Sequence, residues 1–371
     1  MKRLTTLLAA LWMALSGGIS SAGPTDVASS SNLHFAQRYS YFSPTLGTVN
    51  RDNVKFEPAQ FRVRGQPIDD DFLVLTSFSR TLARIAPNGR PRWQLDLRGG
   101  GGAYGLSMAH GLAIVCFGND LLFVDPQSGR VVFRMPVLAP GGETALNMVR
   151  VQGRTIILAD SHATPNAQIL MGLLDFKPDG TPLLTITDRI QTTMAAPRDA
   201  LFLSPDLLAV ADTFGNSVAF FWRTGAGWRI GKRLIEYYPN MLDWRDGRLS
   251  VLSEHANRIV SWDLDQNKAQ VRLSCPFPLF SDWRTRPQQI EAEESRTRSN
   301  EPTPPRQICS ADIAGDQTLY AANGFFDEGN GRLWVADADN HRVALFMNGQ
   351  FWGAITGINH PVRVIPVSAL H

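Results

Sequence analysis

Four short apolar strands recur as a unit at steps of about 40–50 residues, which predicts an all-β propeller. Two further observations point the same way. Glycine (31) and proline (23) are spread along all 371 residues, which suits many tight turns better than a few long helices. A four-stranded unit also cannot bury both of its faces alone, so neighbouring units must stack around an axis. A β-sandwich leaves the recurring unit unexplained, and the coils of a parallel β-helix are shorter than this repeat. Six four-stranded blades are expected, with seven as the alternative.

The chain ahead of the repeats divides in two. Lys2 and Arg3 precede an apolar run at 4–15, and small residues follow to Ser20, Ser21 and Ala22. That is the layout of a cleaved secretory signal peptide over residues 1–22. The run is shorter than the ~20 residues of a spanning helix, so an exported protein that does not span the membrane is expected, periplasmic or extracellular. Residues 23–57 begin as a polar tail, and the aromatics at 33–42 suit an added or ring-closing strand. The formal charge of +2 gives no electrostatic case for nucleic acid. Export places the three cysteines in an oxidising setting. Cys275 and Cys309 flank one atypical segment and are expected to pair, contributing roughly 3–4 kcal/mol. Cys116, inside LAIVCF, is expected to be a buried small hydrophobe.

The propeller is expected over 58–371. Unit one reads FRVR (61–64), FLVLTS (72–77), TLARIA (81–86) and RWQLDL (92–97), with a Pro87-Asn88-Gly89 turn before the last strand. Unit two starts at residue 105, unit three at 146, unit four at 200 and unit five at 241, each with four apolar runs. An insertion at about 275–312 is charged, rich in proline and poor in apolar residues. Unit six follows over 318–355, and HPVRVIPV (360–367) reads as one more strand, able to close the ring or to start a seventh blade. The final residue of each second strand marks the period. Thr76, Asp160, Asp212, Glu254 and Asp337 share that slot, with Cys116 or Phe117 in unit two.

Unit six carries Leu333-Trp334-Val335-Ala336-Asp337 and then Asn340-His341-Arg342-Val343. This resembles the NHL repeat, and units four and five are similar to it in part. The resemblance covers about the C-terminal half of the array. It implies a six-bladed propeller and leaves the activity open, because binding modules and enzymes both carry this repeat. Asn323-Gly324 ahead of 334–337 also resembles part of the gluconolactonase/senescence-marker family, propellers whose channel metal is held by Glu, Asn and Asp. The chain lacks that family's early Glu-Gly-Pro and central Asn-Asp-Gly motifs, which leaves two of the implied ligands unplaced.

The slot acids have a structural use as turn caps and a chemical one as rim carboxylates converging on the channel, a set suited to Ca²⁺. Asn240 precedes Glu254 by 14 residues, and Asn323 precedes Asp337 by the same step, placing both pairs on one rim. Asn240, Glu254, Asn323 and Asp337 are therefore the candidate metal ligands. Asp160, His162, Asp212, His255 and His341 are the candidate rim residues for binding. No GxSxG elbow and no HxxxH spacing is present. Two functions follow: an exported binding or scaffolding module for a protein, peptide or glycan, or a metal-dependent (Ca or Zn) hydrolase or lyase at the channel mouth. The first expects each rim acid to be used within its own turn. The second expects at least three oxygen ligands turned toward one point.

Overall fold

The computed structural model describes residues 70–274 and 319–370, together with the strand Lys55–Pro58; within those spans residues 78–79, 99–103, 140–141, 144–145, 161–166, 193, 195, 214, 237, 255–257, 265–267 and 320–321 are not described. The signal-peptide segment, the aromatics at 33–42, FRVR, the insertion with Cys275 and Cys309, and the rim candidates His162 and His255 lie outside the described residues.

The fold is a six-bladed β-propeller of four-stranded antiparallel sheets. Taken from the axis outward, blade two is Leu106–Ala109, Leu112–Phe117, Asp120–Val124 and Val131–Pro136. Blade three is Leu146–Gln152, Thr155–Asp160, Gln168–Phe176 and Pro182–Gln191. Blade four is Pro197–Ser204, Leu207–Asp212, Ser217–Thr224 and Gly227–Ile235. Blade five is Pro239–Arg245, Arg248–Ser253, Arg258–Asp263 and Lys268–Ser274. Blade six is Gly324–Asp327, Arg332–Asp337, Arg342–Met347 and Gln350–Thr356.

Blade one combines both ends of the repeat array. Its second to fourth strands are Phe72–Thr76, Thr81–Ile85 and Pro91–Asp96, and its innermost strand is Pro361–Pro366. The pairing runs from Phe72 against Pro366 to Thr76 against Pro361. The sequence reading gave this inner position to FRVR; the C-terminal strand occupies it and closes the ring. Most of residues 23–57 lies outside the described residues. The described strand at the end of that segment, Lys55–Pro58, which runs one residue past it, adds a fifth strand to the outside of blade six, against Gln350–Thr356. A short hairpin, Leu138–Ala139 with Gly142–Glu143, sits between blades two and three and was not expected from the sequence.

Burial follows position within the blade. The second strands of blades one to six are buried almost throughout, because a neighbouring blade covers each face. Outermost strands alternate, as Pro91–Asp96 does, because one face meets water. Cys116 fits this pattern as expected: it is fully buried, and that burial pushes its thiol pKa well up. The blades also meet closely at backbone level. A Cβ on Gly324 would collide with the Val362 carbonyl, so glycine lets blade six approach the closing strand. Among the described residues no helix is long and apolar enough to cross a membrane.

Candidate functional site: the mouth of the channel

Three of the four slot acids are used inside their own blades. Asp160, fully buried, accepts from Gln168 Nε2 at 2.9 Å. Asp212 accepts from the Ala196 amide at 3.3 Å and from Arg233 Nη1 at 3.2 Å. Asp337, also fully buried, accepts from Arg342 Nε at 2.7 Å and Asn340 Nδ2 at 2.8 Å. His341 is buried as well, and its Nδ1 accepts the His360 amide at 3.1 Å, which ties the blade-six turn to the closing strand.

Glu254 differs from the other three. The second strand of blade five ends at Ser253, so the residue aligned with Asp160, Asp212 and Asp337 is Ser253, and Glu254 lies one place beyond. In blade five the buried carboxylate is Glu236, which accepts from Ser253 Oγ at 2.7 Å and Arg258 Nε at 3.1 Å. Glu254 is thereby released to the rim, where Asn240 Nδ2 donates to its Oε2.

A repeated backbone device builds the mouth. The innermost strands of blades three, four and five each carry a β-bulge at the same level, and the extra residues are Asn147, Arg198 and Asn240. A bulge re-aims a side chain that regular pairing would place against the next blade. These three reach across blades. Asn147 Nδ2 donates to the Pro197 carbonyl at 3.4 Å. Asn240 Nδ2 also donates to Asn323 Oδ1 at 2.9 Å, while its own Oδ1 accepts from Thr213 Oγ1 at 3.3 Å. Arg198 lies over the Tyr104 ring, 4.2 Å from its centre, so a blade-four side chain meets the approach to blade two. Burial acts to lower the Arg198 pKa, but Tyr104, Tyr238 and Glu254 outweigh it and raise the value. Tyr104, Arg198, Tyr238 and Glu254 are all partly exposed.

Asn240, Glu254 and Asn323, three of the four candidate metal ligands, therefore come together, and Asp337 turns away to Arg342. As arranged, the cluster turns an amide N–H, not an oxygen, toward its other two members. Among the described residues no three His, Cys, Asp or Glu side chains gather closely enough to hold a metal ion. Ca²⁺ takes six to eight oxygen ligands, and this donor set as it stands does not fit it.

Below the mouth lies a charged waist. Arg150 meets Asp199 through Nε to Oδ1 at 3.1 Å and Nη2 to Oδ2 at 2.5 Å, and Asp199 also accepts the Leu242 amide at 2.8 Å. Burial opposes the charge on Arg150, yet Asp199, with Asp243 farther off, outweighs it and raises the Arg150 pKa. Arg363, from the closing strand, donates Nη1 to the Asn323 and Val362 carbonyls at 2.7 and 2.9 Å, and Nη2 to the Asn240 carbonyl at 3.5 Å. Burial lowers its pKa to about 10, with Asp199 opposing and Arg150 and Arg198 adding to the fall.

The sequence reading missed Asn147, Arg150, Arg198, Asp199 and Arg363. A signal was present: each innermost strand sets a polar or charged residue within an apolar run, as in LNMVRV, PRDAL and PVRV.

No protein-family model matches the chain, and comparison with curated proteins gives no match. Solved structures do resemble it in fold. A functionally unknown protein from Desulfotomaculum acetoxidans is 13% identical, with 85% of this chain and 89% of that one covered and a TM-score of 0.48. The periplasmic gluconolactonase of Pseudomonas aeruginosa is also 13% identical, covering 80% and 98%, with a TM-score of 0.47. A chain of a nidogen/laminin complex is 12% identical, covering 79% and 97%, with a TM-score of 0.49. These are likenesses of fold.

Proposed function

We propose that the protein is an exported binding module, an NHL-type propeller that takes a protein, peptide or glycan partner at its channel mouth. One observation carries this reading: three successive bulges turn Asn147, Arg198 and Asn240 to the mouth, where Asn323, Glu254, Tyr104 and Tyr238 join them. Tyrosine and arginine are the residues on which binding energy concentrates, since they combine large contact area with directed donors. The competing reading is a Ca- or Zn-dependent hydrolase or lyase. The convergence of Asn240, Glu254 and Asn323 favours it, but it requires the Asn240 amide to turn over and present its oxygen.

One set of measurements separates the two. Peptide and glycan arrays probed with the mature protein should yield a ligand class that Arg198→Ala and Asn323→Ala weaken about tenfold or more, with EDTA making no difference. Stoichiometric metal on elemental analysis, together with a Ca²⁺-dependent rise in melting temperature abolished by Glu254→Gln, would replace the binding reading with the metal one.

A further inference from the structure

A cavity of about 210 Å³ opens at the waist, lined by Arg150, Asp199 and Arg363 and by none of the mouth residues Asn147, Arg198, Asn240, Glu254 and Asn323. That is smaller than the ~300–1,000 Å³ of pockets for drug-sized ligands, so it suits a small metabolite. Six charged side chains line it, three guanidinium groups (Arg150, Arg245, Arg363) and three carboxylates (Asp199, Asp243, Asp327). Met108, Met241, Phe326 and Ile365 supply an apolar part of the wall.

The six charges balance in number but not in pairing. Arg150 and Asp199 satisfy each other. Asp327 Oδ1 accepts the Gly329 amide at 2.9 Å. Arg245 donates Nη2 to the Asp327 main-chain carbonyl at 2.6 Å, and Arg363 bonds only to carbonyls, so neither has a carboxylate partner within ion-pair distance among the described residues. Asp243 has neither a hydrogen bond nor an ion pair among the described residues, although most of its surface is withdrawn from water. Removal of a charge from water is costly unless a partner supplies compensating bonds. A net anion would leave Asp243 uncompensated, and a net cation would leave the two guanidinium groups so. A dipolar molecule answers both and adds no net charge to a balanced wall.

We propose that this cavity binds a compact zwitterion, an α-amino acid or close analogue, with its carboxylate on Arg363 and Arg245 and its ammonium on Asp243. The apolar wall receives the side chain. The raised Asp243 pKa agrees with a carboxylate short of a counter-ion, burial being its first cause. The site is separate from the mouth, and the proposal does not depend on the partner bound there.

The test uses three matched probes on the full chain, by calorimetric titration and thermal shift: L-leucine, 4-methylpentanoate, which lacks the ammonium, and 3-methylbutylamine, which lacks the carboxylate. A panel of the other neutral L-amino acids runs beside them. Binding of at least one amino acid at millimolar concentration is expected, weaker by about tenfold or more once either charged group is removed. Asp243→Asn, which removes the charge while keeping the size of the side chain, should lower amino-acid affinity by a similar factor with the melting transition retained, and Arg363→Gln should lower it likewise. No binding across the panel overturns the proposal. Equal binding of 4-methylpentanoate, or undiminished amino-acid binding by Asp243→Asn, overturns it as well. Loss of peptide or glycan binding at the mouth in Arg198→Ala bears only on the other reading.

Discussion

Asp243 stands apart from Asp199 because no hydrogen bond or ion pair among the described residues holds its charge, and only the more distant Arg150 and Arg245 act on it, whereas Asp199 has Arg150 and the Leu242 amide in direct contact. Burial raises its pKa; Arg150 and Arg245 oppose, and Asp327 and Asp199 add to the rise. The folded chain thus holds this proton more tightly than the unfolded chain does. The resulting stability is fully present below the unfolded carboxylate value and is lost as pH rises through the raised folded one. Asparagine has no such proton. Asp243→Asn should therefore increase the melting temperature more at pH 7 than at about pH 4, near the ordinary Asp value. Scanning calorimetry across that range reads the difference, and equal increments at both ends would refute the argument. At this scale the sequence was partly legible. The fourteen-residue step correctly joined Asn240 to Glu254 because it spans one hairpin of fixed register. Asn147 stands thirteen residues before Asp160 and so falls outside that step, while Arg198 stands fourteen before Asp212 but is not the asparagine for which the step was read.

At the scale of the element, the ends of the second strands of blades one, three, five and six do one job with different residues. Asp337 with Arg342, Asp160 with Gln168, Thr76 with Thr81, and Glu236 with Ser253 and Arg258 each tie the second strand to its neighbour beneath the rim. The sequence shows the slot but not which acid fills it. Glu254 and Ser253 are adjacent, and only strand register decides that the serine faces the blade. A stability comparison separates structural from rim acids. Asp337→Ala leaves Arg342 buried with its ion-pair partner gone, which costs about 3–5 kcal/mol. Glu254→Ala removes the hydrogen bond from Asn240 at a partly exposed position and should cost about 1 kcal/mol. Urea unfolding of both variants gives the ordering. Equal losses would show that Glu254 is also part of the blade's framework and weaken its place at the site.

For the molecule as a whole, the decisive element is the last strand. The period, the six units and the four strands of blades two to six could all be read from the sequence, because apolar runs and turns are local signals. Ring closure could not, because FRVR and PVRVIP both suit an inner strand and only the three-dimensional ring brings one of them beside Phe72–Thr76. Closure is reinforced at the rim. The Ser77 amide donates to the His360 carbonyl at 3.1 Å, and Ser77 Oγ lies 2.6 Å from His360 Nδ1. The strand also brings Arg363 to the waist, so fold and channel chemistry depend on the same six residues. A chain ending at residue 359 should therefore lose more than one strand. Val362 and Val364 are buried, and their transfer from water alone stabilises by about 3–6 kcal/mol. That is comparable to the ~5–15 kcal/mol net stability of a typical domain. The inner edge of Phe72–Thr76 would be left open to pair with other chains. Circular dichroism should show no cooperative melting transition for the truncated chain, and light scattering should show association. A synthetic peptide spanning 360–371, added in trans, should restore the transition by supplying the missing strand. A truncated chain that melts cooperatively at the full-length temperature would mean that closure rests elsewhere.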